Sequence, residues 1–184
     1  MTRDPLLVYA LLACQQLVAG TFALSAAGKL RDAAAFAASL APFGVPAGRR
    51  RAVTGAVIAA EAAVVPLIAW PATTPIGFAA ATLLLAGFGA AILHVIRTGA
   101  VVHCRCFGVE GAVLRAAHMW RNGALALPAL AGLVLVVAEP SGGLQPAGVA
   151  VTALAVCSLL VLVASFDSLV ELLAPTLPRA SRLP

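Results

Sequence analysis

The chain has 184 residues, 62% of them hydrophobic and only 10% charged, with a formal net charge of +5. A mean hydropathy of +1.03 lies far outside the range of soluble domains, where about a quarter of residues are charged. The length leaves room for one integral membrane domain, 1–184, and no separate soluble module. The basic residues fall between apolar runs, where they face anionic lipid headgroups, and at 5% aromatic residues are too few for a base-stacking surface. The bilayer is therefore an expected partner and nucleic acid is not.

In chain order, five segments are long and apolar enough to cross a bilayer: 6–28, 52–70, 76–96, 122–138 and 147–166. In hydrocarbon each backbone group must pair within its own segment, so all five are expected to be helices. The expected fold class is all-α: a polytopic membrane helix bundle with five transmembrane helices, a four-helix core plus one. The first segment reads as a retained helix rather than a signal peptide. Its leading residues hold Arg3 and Asp4, a poor basic region, and the apolar run continues unbroken past Cys14 to Gly28.

Between the first two spans, Leu30, Ala33, Phe36, Ala37 and Leu40 recur at helical spacing, which predicts a short interfacial helix. Pro42 and Pro46 end it before Arg49, Arg50 and Arg51 anchor the second span. The connections 71–75 and 139–146 are short and rich in Pro and Gly, hence tight turns, and 167–184 reads as a short tail. Of the twelve basic residues, all but Arg3 lie in the first connection, the third connection and the tail. The positive-inside rule then puts the amino terminus outside the cell (inner) membrane and the carboxyl terminus in the cytoplasm.

Reactive side chains concentrate at His103-Cys104-Arg105-Cys106-Phe107-Gly108, in the third connection. Two thiols one residue apart can close into a small strained disulfide or hold a soft metal jointly. Arg105 between them and Arg97 nearby favour the thiolate, the form that undergoes exchange. Phe107 and Gly108 suggest a turn pressed back on the bilayer. Metal is disfavoured, because structural zinc sites separate paired cysteines by two to four residues. The bland alternative is a pair of unpaired structural cysteines. Cys14 and Cys157, within the first and fifth spans, read as small apolar packing residues.

Glu61 falls near the middle of the second span, where an ionised carboxylate costs about 2.5 kcal/mol or more. It is expected to face the bundle, either protonated or paired. It could relay protons or contact a quinone, the one cofactor class left open. Equally, it could clasp helices through Thr54, Gln15 or Gln16.

The order of these residues carries a family resemblance. Ser25-Ala26-Ala27-Gly28-Lys29-Leu30 is followed by Phe36, Pro42-Phe43-Gly44, the membrane Glu61, Cys104-Arg105-Cys106-Phe107-Gly108 and Arg121-Asn122. This resembles the MauE family of methylamine-utilisation membrane proteins, and more loosely the DoxX group, over about 5–140. The resemblance implies a DoxX-like multi-pass inner-membrane protein that helps mature methylamine dehydrogenase, whose small subunit is disulfide-rich. It implies Cys104 and Cys106 as a redox pair, with Lys29, Glu61, Arg121 and Asn122 as matching positions without an assigned role. The implied protein partner is an exported disulfide-rich protein or a thioredoxin-like protein. Arg105 departs from the small residue common between these cysteines in the family. An oxidant of exported proteins needs its thiols outside, whereas the charge count puts the third connection inside. Two function classes follow: a thiol-redox maturation factor, or a non-catalytic membrane scaffold or transport subunit in which the motif only shapes a loop.

Overall fold

The computed structural model describes residues 5–98, 116–138, 140 and 142–173, with the backbone alone for 116–118 and 166–173. Six α-helices form the described fold: α1 (Pro5–Arg31), α2 (Ala33–Ser39), α3 (Arg50–Ala69), α4 (Thr74–Thr98), α5 (Ala116–Val137) and α6 (Pro146–Leu173). All but α2 are long and apolar enough to cross a membrane. No strand occurs among the described residues.

The spans differ from expectation mainly at their ends. Hydropathy ends a span where charged residues flank the apolar run, whereas helical hydrogen bonding continues past them. Thus α1 runs three residues past Gly28 and carries Lys29 with it, and α5 begins at Ala116 rather than Asn122. α6 continues through Leu173, so the expected tail is in part helix; Asp167 and Glu171 do not interrupt it.

The helices α1, α3, α4 and α5 close a ring in which each packs on the next, and α6 lies outside it against α1. The core of that ring is a column of Val18 and Phe22 from α1, Val64 and Ile68 from α3, Phe78, Ala81 and Leu85 from α4, and Leu125 and Ala129 from α5. Small residues set its closeness, as expected where helices associate by packing rather than by escape from water. A Cβ on Gly132 of α5 would clash with the edge of the Phe78 ring. Leu83, Leu127, Val134, Val151, Leu154 and Val161 point outward and are exposed, which in a bilayer means lipid-facing.

The two ends of the bundle are built differently. At one, α3 turns into α4 through Trp70 to Thr73. There Thr73 Oγ1 donates to the Leu67 carbonyl at 2.9 Å, and Thr74 Oγ1 donates to that of Ile68 at 3.1 Å, satisfying carbonyls that the end of α3 leaves over. Gly77 permits this turn because a Cβ there would sit 2.8 Å from the Ile68 backbone nitrogen. At the same end, Tyr9 Oη accepts from the Gln145 amide at 2.8 Å and its ring lies against Gly148, so α6 starts beside the start of α1.

At the other end α1 finishes and α2 begins at Asp32, whose carboxylate caps the new helix by accepting from the Ala35 amide at 3.0 Å. α2 packs on α3. A 3-10 turn, Ala41–Phe43, then ends on Gly44 in the left-handed region (φ 77°), a conformation that suits Gly. α4 also finishes, and α3 and α5 also start, at this end.

Candidate functional site

One polar cluster lies inside the membrane-spanning part of the described bundle, toward the end where α2 lies. Ser25 and Lys29 are four residues apart on α1 and so share a face. Glu61 stands eleven residues after the beat at Arg50 that starts α3, about 16 Å along the helix and hence near mid-membrane. Pairing brings all three together. Lys29 Nζ donates to Glu61 Oε1 at 2.7 Å, to Glu61 Oε2 at 2.8 Å and to Ser25 Oγ at 2.6 Å. Ser25 Oγ in turn donates to Glu61 Oε1 at 3.1 Å. Both side chains of the ion pair are almost completely buried, 2% and 1% exposed.

Two aromatic rings finish the enclosure. Phe36 of α2 lies with its centroid 5.4 Å from Lys29 Nζ and Phe88 of α4 with its centroid at 5.6 Å, both within cation–π range. The ammonium thus spends its three N–H donors on three oxygens and meets two π faces. The cluster carries no net charge, which is what lets a carboxylate and an ammonium reside in hydrocarbon at all.

This corrects two sequence expectations. Lys29 is not a loop charge facing headgroups but a buried member of the bundle. Glu61 is paired, yet with Lys29 and Ser25 rather than with Thr54, Gln15 or Gln16. Thr54 Oγ1 and Gln16 Oε1 are in fact buried without a hydrogen-bond partner among the described residues. Sequence reasoning missed Ser25, Phe36 and Phe88 as participants. A signal existed for Ser25 and Lys29: a basic residue one turn after a serine, just past an apolar run, is placed to answer an acid in the next span.

Asn122 stands on α5, where its Nδ2 donates to the Leu85 carbonyl of α4 at 2.6 Å and lies against Gly89. It fastens α4 to α5. Arg121 beside it is half-buried, and Arg97 is exposed in the last turn of α4. Cys14 is a half-buried free thiol packed against the core, and Cys157 is a free thiol on the outer face of α6. His103, Cys104, Arg105, Cys106, Phe107 and Gly108 lie outside the described residues. The two helix ends that the segment 99–115 connects, Thr98 of α4 and Ala116 of α5, belong to the end of the bundle that α2 occupies.

Nothing among the curated proteins and nothing among the solved structures matches the chain. A family model does: methylamine utilisation protein MauE, over residues 7–136. The matched region covers the four-helix ring with its buried ion pair and stops before α6. The match spans well over half of the sequence, and this chain is a multi-pass membrane protein of the MauE family.

Proposed function

We propose that this protein is a membrane thiol-redox factor that supports the maturation of a disulfide-rich partner, such as the methylamine dehydrogenase small subunit, through Cys104 and Cys106. The observation that carries the reading is the Cys104-Arg105-Cys106-Phe107-Gly108 element within the matched region of a family named for methylamine utilisation. The step is a two-electron exchange. The thiolate of one cysteine attacks a partner disulfide and forms a mixed disulfide, releasing one partner thiolate. The second cysteine then attacks its neighbour's sulfur, which closes the Cys104–Cys106 disulfide and leaves the partner with two thiols. Run in reverse, the same exchange oxidises the partner. A quinone reduced to quinol is the electron acceptor class that would restore the disulfide.

Trapping with a maleimide reagent before and after reduction tests this. In a Cys14→Ser/Cys157→Ser background only Cys104 and Cys106 report, and a fraction of the protein is expected to gain two labels only after reduction. If that fraction is absent in growing cells, and Cys104→Ser/Cys106→Ser leaves partner maturation intact, the redox reading is wrong.

A scaffold role is favoured over a transport role by one observation. The charges buried within the described spans form a single self-neutralised pair, whereas a solute path needs polar groups left open to the solute. A partner that co-purifies undiminished with the variant lacking both thiols would speak for the scaffold.

A further inference from the structure

We propose that Ser25, Glu61, Phe36 and Phe88 form a binding site for a primary alkylammonium ion, which Lys29 of the same chain occupies as a tethered ligand. The inference is independent of the thiol pair. What surrounds Lys29 Nζ is a receptor in its own right: a bidentate carboxylate at 2.7 and 2.8 Å, a hydroxyl oxygen at 2.6 Å, and two aromatic faces at 5.4 and 5.6 Å. Three oxygens around one nitrogen match the three N–H donors of a primary ammonium. A quaternary ammonium offers the same charge to the rings and no N–H to the oxygens, so the site discriminates by donor count as well as charge.

The oxygens also outnumber what Lys29 supplies. Glu61 Oε1 accepts from Nζ and from Ser25, while among the described residues Oε2 accepts from Nζ alone and keeps a lone pair. Two helical turns before Glu61 on the same face of α3, Thr54 has a buried hydroxyl oxygen with no partner among the described residues. Thr21, Thr74, Thr82 and Thr152 each donate to the carbonyl four residues earlier; no such bond serves Thr54. This face of α3 therefore carries a spare acceptor lone pair on Glu61 and, two turns away, a Thr54 hydroxyl that can donate or accept.

Lys29 holds the site by its tether. Its ammonium is presented at the effective concentration of an intramolecular group, far above that of a free amine. Truncation to Ala removes Cγ, Cδ, Cε and Nζ, which together amount to a propylammonium ion. The vacated volume and the unpaired Glu61 then define the guest.

The test uses the full-length protein in detergent, with unfolding followed through Trp70 and Trp120 fluorescence. Adding propylammonium chloride to Lys29→Ala is expected to raise Tm by about 3 °C at a concentration near ten times its Kd. Methylammonium is expected to act more weakly. Tetramethylammonium and sodium chloride are expected to do nothing, as is propylammonium with wild type or with Lys29→Ala/Glu61→Gln. Equal shifts with all salts, or an equal shift in wild type, would overturn the proposal, as would no shift in Lys29→Ala. If Lys29→Ala does not accumulate, its yield from cells grown with propylammonium or with equimolar sodium chloride is the readout. Recovery with the amine alone supports the site, and absence under both conditions overturns it.

Discussion

At the scale of single residues, the decisive pair is Lys29 and Glu61. Each would be ruinous alone in hydrocarbon, and together with Ser25 they use all three N–H donors of the ammonium and both oxygens of the carboxylate. Such a pair adds little net stability over a well-packed apolar replacement, but removing one partner strands the other. Lys29→Met and Glu61→Leu separately are expected to show this asymmetry. Lys29→Met is expected to cost about 3–5 kcal/mol, and Lys29→Met/Glu61→Leu to recover most of that loss, measured by denaturant titration in micelles. Losses that simply add would show that the two residues do not act as a pair. Ser25→Ala, which removes one bond on each of two partners, is expected to cost about 1 kcal/mol.

At the scale of elements, backbone approach decides which glycines matter. Gly77 and Gly132 are filled by neighbours, Ile68 and Phe78, whereas Gly55 and Gly87 have open space around them. Gly132→Ala and Gly77→Ala are expected to lower stability by about 1–3 kcal/mol through overpacking. Gly55→Ala and Gly87→Ala are expected to be neutral or to gain up to about 1 kcal/mol from helix propensity. Thermal unfolding of the four variants checks the contrast. All five spans were legible from hydropathy, and so was the short helix containing Phe36, because bilayer thickness and helical periodicity act on local sequence. Helix ends were less legible: a charge such as Lys29 or Arg121 ends an apolar run without ending a helix. The partner of Glu61 was not legible at all. It depends on which faces of α1 and α3 meet, and Thr54, Gln15 and Gln16 were chemically as suitable as Lys29.

At the scale of the whole molecule, the ring of four helices and the outlying α6 give two unlike ends, one tied by Tyr9 and the threonine turn, the other covered by α2. The basic residues Arg31, Arg49, Arg50, Arg51 and Arg97 all belong to the α2 end, and the asymmetry persists with Lys29 withdrawn from it. That end is therefore expected to face the cytoplasm. Single cysteines at Thr73 and Gly48, in a Cys14→Ser/Cys157→Ser/Cys104→Ser/Cys106→Ser background, test the orientation. Thr73→Cys is expected to react with an impermeant maleimide on intact cells, and Gly48→Cys only after permeabilisation; the reverse pattern would invert the topology. The ion pair also bears on how the chain enters the membrane. A lysine at the trailing end of the first span can wait at the headgroups by extending its side chain, but a carboxylate in the middle of the second cannot. Insertion of the second span is thus expected to be coupled to the first, as a hairpin whose membrane-embedded charges, Lys29 and Glu61, cancel, so that the order of spans is also the order in which buried charge is neutralised.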